Sequence, residues 1–99
     1  MARLRVRDVC PDSRVLRADG QRLRAAIEDA WRAEEPVELD FDGELIASIS
    51  FLDEGVAVLF VDHDAESIRT RLRIVGLTEP DRPMLNGLVA KRRAQRTAA

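Results

Sequence analysis

Two serine hydroxyls, on Ser48 and Ser50, lie a few residues ahead of an acidic pair, Asp53 and Glu54. The four residues that begin at Ser50 have the spacing of a capping box, which predicts Ser50 as the N-cap of a helix. A phosphate there would meet free backbone N–H groups and the positive end of the helix dipole. It would also place about two negative charges beside Asp53 and Glu54, a repulsion able to release a bound partner. Ser48 and Ser50 are therefore candidate phosphorylation sites, and the alternative for Ser50 is a plain helix cap.

The other side chains with chemical potential are isolated in the sequence. His63 is the only histidine and Cys10 the only cysteine, so an internal disulfide is excluded, and no sequence feature marks Cys10 as reactive. Three acidic residues lie close to His63 in the sequence: Asp62, Asp64 and Glu66. Their spacing is not that of a calcium-binding loop, and no second histidine is present to complete a metal site. We therefore expect a protein that is not an enzyme and uses no cofactor and no metal.

The composition indicates one globular domain over residues 1–99, with 93–99 as a frayed tail. Hydrophobic residues make up 45% of the chain, charged residues 34%, and the net charge is −2. This balance gives no general attraction to nucleic acid or to an anionic membrane. The end of the chain is basic and contains Lys91, Arg92, Arg93 and Arg96. Positive charge there complements the dipole of a last helix, so no nucleic acid is needed to explain it.

The expected compartment is the cytoplasm. A single cysteine is typical of a reducing environment. No apolar run approaches the ~20 residues of a membrane-spanning helix, and the first residues lack the apolar core of a signal peptide. We therefore expect a soluble protein with no membrane partner.

Hydrophobic periodicity predicts three strands that alternate with three helices. Period-two patterns predict strands at Arg3–Val9, Val37–Phe41 and Arg71–Val75. Apolar steps of three and four predict helices at Arg14–Ala33, from Ser50 to about His63, and from about Asp81 to the tail. The remaining segments are predicted as an unusually apolar loop, Glu44–Ile49, and a polar connection, Asp64–Thr70.

The start of the first predicted helix has two alternatives. With Ser13 as N-cap the helix runs from Arg14 to Ala33 and places Gly20 on its buried stripe. A mid-helix glycine costs about 1 kcal/mol relative to alanine, which close backbone approach to a sheet would offset. In the second alternative Asp19 is the cap and Gly20 the first helical residue. We favour the long helix.

The alternation of strands and helices predicts an α/β fold with parallel strands and right-handed crossovers. Each strand alternates polar and apolar residues, unlike strands covered on both faces, so we expect the helices on one face. The outward residues are arginines in the first and third strands and acidic in the second. A central acidic strand pairs opposite charges on both sides. The prediction is a small, mostly parallel sheet in the order 1-2-3, with Val37–Phe41 in the middle.

Residues 39–60 resemble the core of the STAS domain, the fold of bacterial anti-sigma-factor antagonists. Leu39–Gly43 is similar to the Leu-Asp-Leu-Ser-Gly strand end of those proteins, and Ser48–Phe51 falls on their Asp-Ser-Ser-Gly loop. The chain is more closely similar to a STAS-like group of unassigned function. That similarity lies in Ser50 and Phe51 ahead of the acidic pair, in Ser13 with Arg14, and in Asp81 with Arg82.

The resemblance implies a STAS-like β-α-β-α-β-α fold and a regulatory role in bacterial-type signalling. In the antagonists a partner kinase phosphorylates the second serine of the loop, which corresponds to Ser50. The implied partner is a GHKL-type ATPase acting as a serine kinase, or an anti-sigma factor. We expect it to dock on Ser48, Ser50, Phe51, Asp53 and Glu54. The alternative is a structural module that forms a homodimer or joins a larger complex through its sheet edge or open polar face, with no phospho-switch.

Overall fold

The computed structural model describes residues 1–98 of the chain. The strands are β1 (Ala2–Arg5), β2 (Val37–Asp40) and β3 (Leu72–Val75). The helices are α1 (Val6–Val9), α2 (Arg17–Arg32), α3 (Ile49–Leu52), α4 (Leu59–Asp62), α5 (Ala65–Arg71) and α6 (Asp81–Ala98). A π-helical segment, Asp53–Ala57, lies between α3 and α4, so residues 49–62 form one helical stretch that we call the central helix.

The three strands form one parallel sheet in the order β1-β2-β3, as the charge alternation predicted. One row across the sheet consists of Arg3, Glu38 and Arg73, so a central glutamate lies between two arginines. Arg3 Nε and Glu38 Oε2 are 3.7 Å apart at the surface, where such a pair contributes at most about 1 kcal/mol. The neighbouring row packs against the core and consists of Leu4, Leu39 and Ile74.

The helices pack on this apolar face of the sheet and confirm the predicted α/β class. One buried cluster joins the sheet to α2 and the central helix, and its fully buried members include Leu23, Ile27, Leu39, Phe51, Leu52 and Leu59. Trp31 closes one end of this cluster, and its indole Nε1 donates a hydrogen bond of 3.0 Å to the Arg71 carbonyl. The carboxyl ends of the strands lie at the opposite end, where the loops carry the candidate site.

The first strand is shorter than predicted. β1 ends at Arg5, and Val6–Val9 forms the single helical turn α1, with a hydrogen bond of 2.9 Å from the Cys10 N–H to the Val6 carbonyl. The apolar spacing already changes here, because Val6 and Val9 are three residues apart, as on a helix. β1 and β2 pair over four residues only, and the turn that follows buries Val6, which is 1% exposed.

Helix α2 begins at Arg17, between the two predicted starts. Its N-cap is Leu16, so the predictions of Ser13 or Asp19 as the cap are wrong. Asp19 is the third helical residue. Its buried carboxylate accepts hydrogen bonds from the N–H groups of Leu16, at 3.0 Å, and Val15, at 3.4 Å. Contact with the Ser13 side chain and these N–H groups lowers the pKa of Asp19. The side chain that caps the helix therefore belongs to its first turn, so the N-cap residue Leu16 does not need a polar side chain.

Gly20 lies where α2 crosses the central helix. A Cβ atom on Gly20 would be 2.8 Å from the Phe51 carbonyl oxygen and 2.8 Å from Glu54 Cβ. Gly55 lies on the other side of the crossing, where an added Cβ would be 3.5 Å from Gly20 Cα. The predicted close approach at Gly20 is present, but its partner is a helix rather than the sheet.

Two segments predicted as irregular are helical. The predicted connection Asp64–Thr70 lies mostly in α5, because Asp64 Oδ1 accepts a hydrogen bond of 2.9 Å from the Ser67 N–H and Ile68 is buried in the core. Helix α6 continues through the predicted tail as far as Ala98, and Ala99 lies outside the described residues. Within residues 1–98, no helix combines the length and the apolar character needed to cross a membrane.

Candidate functional site

Ser48, not Ser50, is the N-cap of the central helix. Ser48 Oγ accepts a hydrogen bond of 3.1 Å from the Phe51 N–H, and the Ser48 carbonyl accepts one of 3.1 Å from the Leu52 N–H. Ser50 is already the second helical residue, so its predicted role as the cap is wrong. The capping-box spacing after Ser50 is present in the sequence, but the contacts of the preceding loop decide where the helix starts.

Asp81, at the start of α6, holds the loop of residues 44–48. Its carboxylate is fully buried and accepts hydrogen bonds from the Ile46 N–H at 2.7 Å and the Ala47 N–H at 2.9 Å. Thr78 Oγ1 donates a third bond at 3.0 Å. Ala47 has a φ of 50°, a left-handed conformation that is uncommon for a residue with a Cβ. The Asp81 bonds stabilise this conformation and so set the path of the chain into the central helix.

Arg14 holds the same loop from the side of α2. Its guanidinium pairs with both oxygens of Glu44, at 2.5 Å from Nε to Oε1 and 2.7 Å from Nη2 to Oε2. Its Nη1 also donates to the Cys10 carbonyl at 2.8 Å. Nearby, Ser48 Oγ donates to the Val15 carbonyl at 2.5 Å. Segments 10–16 and 44–49 are therefore joined side by side at the carboxyl ends of β1 and β2.

Four large apolar side chains are exposed on these two segments. The exposed fractions are 58% for Val15, 60% for Leu16, 57% for Leu45 and 57% for Ile49. We call these four residues the Ser48 patch, because the hydroxyl of Ser48 joins the two segments that carry them. Sequence reasoning missed the patch because it predicted Val15 and Leu16 as part of a helix that runs from Arg14 to Ala33. The apolar composition of the loop before the central helix was the available signal.

Asp53 is buried among arginines from two other helices. Arg92 of α6 binds both of its oxygens, at 3.0 Å from Nε to Oδ1 and 2.7 Å from Nη2 to Oδ2. Arg17 of α2 donates from Nη1 to Oδ2 at 3.1 Å. The Arg92 hydrogen bonds lower the pKa of Asp53, and Arg17 adds to that effect while burial opposes it. Asp53 therefore joins three helices through its charge.

The remaining predicted contact residues, Glu54 and Phe51, are also engaged within the fold. Glu54 pairs with Arg17 at 3.3 Å and with Arg24 at 3.2 Å. Three guanidinium groups surround the acidic pair and neutralise its charge within the fold, which weakens the predicted repulsion between this pair and a phosphate on Ser50. Phe51 is 0% exposed, since its ring fills the core beneath the central helix, and its predicted contact with a partner is wrong.

Ser50 lies at the rim of the Ser48 patch. It is half-buried, directly follows the exposed Ile49, and its hydroxyl makes no hydrogen bond within residues 1–98. Ser48 is different, because its hydroxyl both caps the helix and donates to Val15. Of the two candidate phosphorylation sites, Ser50 is the one whose hydroxyl the fold does not use.

The other chemically capable side chains contact the core. Cys10 is 1% exposed, its Sγ donates to the Asp19 carbonyl at 3.2 Å, and burial raises the pKa of its thiol. The His63 ring lies edge-on to Trp31, with ring centres 5.1 Å apart, and its Nδ1 is 3.2 Å from Arg71 Nη2. In the part of the chain that the structure describes, no three acidic, histidine or cysteine side chains converge to hold a metal ion.

Residues 19–82, more than half of the chain, match the profile of a family described as a STAS-like domain of unknown function, DUF4325. No curated protein and no solved structure matches the chain significantly. The matched region covers most of α2, the strands β2 and β3, the central helix and Asp81, whose carboxylate holds the loop of residues 44–48. The small parallel sheet with helices packed on it fits a STAS-like fold. The chain therefore belongs to the family of STAS-like domains of unknown function.

Proposed function

We propose that this protein is a regulatory module that binds another protein through the Ser48 patch and is not an enzyme. The observation that carries the proposal is the patch itself, four apolar side chains that are each more than half exposed. Clustered apolar side chains on the surface of a folded domain are typical of protein contact sites, whereas single exposed ones need no explanation.

The patch has the rigidity of a preformed binding surface. The pair of Arg14 with Glu44 and the bond from Ser48 to Val15 join its two segments, and Asp81 fixes one of them from the core. Ordering loops and side chains is a substantial cost of protein association. A patch whose backbone is already ordered avoids much of that cost, which supports a role in binding.

The class of partner follows from the resemblance to anti-sigma-factor antagonists. A GHKL-type ATPase acting as a serine kinase, or an anti-sigma factor, would dock on the patch and on the start of the central helix. The proposed contact residues include Ser48 and Ser50, as the sequence predicted. The apolar members of the patch take the place of Phe51 and Asp53, which are buried. Both partner classes are cytoplasmic, so the proposal also assigns the protein to the cytoplasm.

Phosphorylation of Ser50 would switch the docking off. A phosphate carries about 1.5 to 2 negative charges at neutral pH. On Ser50 it would lie next to Ile49, at the rim of the apolar patch. Burying such a charge against an apolar partner surface without a cation is strongly unfavourable. The free hydroxyl of Ser50 makes it a better acceptor than Ser48, whose hydroxyl is used in the cap.

Affinity capture from an extract of the source cells tests the docking surface. Ile49→Asp introduces a charge into the patch at a side chain that is 57% exposed, so the core is left intact. We expect this variant to capture at least about tenfold less of a GHKL-type ATPase or anti-sigma factor, the effect of losing roughly 1.4 kcal/mol. Ala25→Asp, at an exposed position of α2, is the matched control and should capture as much as the wild type. Equal capture by Ile49→Asp and wild type, with both proteins folded, would contradict the proposal.

The switch is tested separately with two substitutions at Ser50. Ser50→Asp imitates part of the phosphate charge and should weaken capture, whereas Ser50→Ala should preserve or strengthen it. Equal binding by both variants, with unchanged thermal unfolding, would remove the switch and leave the docking function in place.

The alternative function, assembly through the sheet, is distinguished by light scattering. The outer edges belong to β1 and β3, and each strand is four residues long, which offers a short template for pairing. A mass near 11.1 kDa at every concentration supports docking over self-assembly. A concentration-dependent dimer that Ile49→Asp leaves unchanged would favour the assembly function.

A further inference from the structure

A groove lies between the start of the central helix and α6. Its volume is about 260 Å³, and its walls include Arg17, Ile49, Leu88, Lys91 and Arg92. Ile49 also belongs to the Ser48 patch, so the groove extends the proposed docking surface towards α6.

Part of the groove surface is apolar. Ile49 is 57% exposed, and Leu88, one helical turn before Arg92, is half-buried against the edge of the core. An apolar side chain placed between Ile49 and Leu88 would be stabilised there because its surface is removed from water. The described lining includes no aromatic ring, so the groove offers no platform on which nucleic acid bases would stack.

The polar part of the groove is basic. Three cationic side chains, Arg17, Lys91 and Arg92, line it against one carboxylate, Asp53. Both Asp53 oxygens already accept hydrogen bonds from Arg92 and Arg17, so this carboxylate is shielded from a ligand. Lys91 is exposed and forms no ion pair within residues 1–98. The groove therefore keeps a local excess of positive charge although the net charge of the chain is −2.

We propose that this groove binds an acidic, amphipathic segment of the protein partner. An apolar side chain of the segment packs between Ile49 and Leu88, and its carboxylates pair with Lys91 and the outer face of Arg17. Opposite charge on the two surfaces steers the encounter and sets the orientation of the bound segment. The inference rests on the proposed docking function and adds the chemistry of the partner.

The same groove supplies a physical reason for control by Ser50. Residues three apart on a helix are neighbours, so Ser50 lies one turn before Asp53, which holds Arg17 and Arg92. A phosphate on Ser50 would add negative charge one turn from the residue that holds these arginines, and it would lower the positive potential of the neighbouring groove. Phosphorylation therefore removes the charge complementarity on which an acidic partner depends.

Chemical-shift mapping on the isotopically labelled full chain tests the location of the site. The probe is a helical peptide with leucines at i, i+3, i+4 and i+7 and glutamates elsewhere, and the control peptide carries lysine in place of each glutamate. We expect the acidic peptide to shift the amides of Ile49, Leu88 and Lys91 and to bind about tenfold more tightly than the basic one. Shifts confined to another surface, equal affinities, or no shift at millimolar peptide would overturn the proposal.

A pair of charge reversals tests the role of Lys91. Lys91→Glu changes a groove residue, whereas Arg93→Glu makes the same change in net charge beside a separate depression near Phe60 and Asp64. We expect Lys91→Glu to weaken the acidic peptide about tenfold and Arg93→Glu to weaken it less than about twofold. Equal effects of the two variants would indicate general electrostatic attraction and overturn the proposal.

Displacement of the peptide by a thymidine oligonucleotide at lower concentration than by unlabelled peptide would assign the groove to nucleic acid and also overturn the proposal.

The proposal and the docking function fail in different experiments. If Ile49→Asp abolishes capture of the native partner and Lys91→Glu does not, the groove inference is overturned and the docking function stands. If Lys91→Glu weakens the acidic peptide but Ile49→Asp leaves native capture unchanged, the groove stands as an acidic-segment site and the docking function fails.

Discussion

Buried carboxylates organise the loops and helix starts of this protein. Asp19, Asp53 and Asp81 are each at most 6% exposed, and each accepts at least two hydrogen bonds. A buried charge is stable only when its hydrogen-bonding capacity is met, and removing the acceptor leaves buried donors without partners. Asp81 shows this most directly, because its removal would leave the Ile46 and Ala47 N–H groups unpaired under the candidate site.

Asp81→Asn should lower the free energy of unfolding by about 1–3 kcal/mol, the range for leaving a buried donor unsatisfied. The Ile46 and Ala47 N–H groups bind different oxygens of the carboxylate, and asparagine replaces one of these oxygens by an NH2 donor. Urea unfolding provides the measurement. Asp12→Asn, at an exposed position, is the matched control and should change stability by less than about 0.5 kcal/mol. Identical effects of the two substitutions would show that Asp81 does not hold the loop.

The crossing of α2 over the central helix depends on two small residues. Gly20 and Gly55 lie at the crossing, and a Cβ on Gly20 would be 2.8 Å from a carbonyl oxygen of the other helix. Backbones this close leave no room for a methyl group, so the glycine compensates for its poor helix propensity by permitting the contact. The crossing in turn positions Arg17 and Arg24 beside the acidic pair of the central helix.

Substitution by alanine should change the stability of the protein in opposite directions at Gly20 and Gly87. Gly20→Ala forces the two helices apart and should destabilise the protein by about 1–3 kcal/mol. Gly87→Ala places a methyl group into open space on α6 and should stabilise it by about 0.5–1 kcal/mol. Denaturant unfolding of both variants is the measurement. A Gly20→Ala protein as stable as the wild type would mean that the crossing is not close-packed in solution.

At the scale of the whole molecule, one ion network joins parts of the chain that are far apart in sequence. Asp53 binds Arg17, 36 residues before it, and Arg92, 39 residues after it. The network therefore ties α2, the central helix and α6 together around the candidate site. Because Asp53 is buried, its charge is screened by solvent less than that of an exposed pair.

The acid sensitivity of the protein should reflect this network. The pKa of Asp53 is lowered in the folded state below its ordinary value of 3.8, so its contribution to stability is complete above that pH. The contribution is lost as the pH falls through the folded pKa, because the unfolded chain takes up the proton first. The stability difference between wild type and Asp53→Asn should thus be largest near neutral pH and shrink below about pH 4.

Urea unfolding at a series of pH values measures that difference. Glu66→Gln removes an exposed pair with Arg69, in which both side chains are more than 70% exposed, and serves as the control. We expect its effect to stay small at every pH, because exposed ion pairs contribute little. A wild-type to Asp53→Asn difference that is independent of pH would mean that the Asp53 charge does not stabilise the fold.

The sheet and its charge pattern were predictable because they depend on local alternation and chain order. The arginine–glutamate–arginine row of Arg3, Glu38 and Arg73 needed only the period-two pattern and the rule of opposite charges. The Ser48 loop was predictable in position, through capping spacing and family resemblance, but not in detail. The choice between Ser48 and Ser50 as the cap depends on Asp81, whose backbone partners lie 34 and 35 residues away.

The sequence by itself determined the α/β class, the strand order and the region of the candidate site, because periodicity and charge alternation are local properties of the chain. Only the tertiary structure decided which of that region's residues reach the surface. It buried Phe51 and Asp53, exposed the apolar members of the Ser48 patch, and surrounded the acidic pair with arginines from α2 and α6. Those outcomes depend on contacts between segments 30 to 39 residues apart, and no local pattern encodes which of many arginines a buried carboxylate will bind.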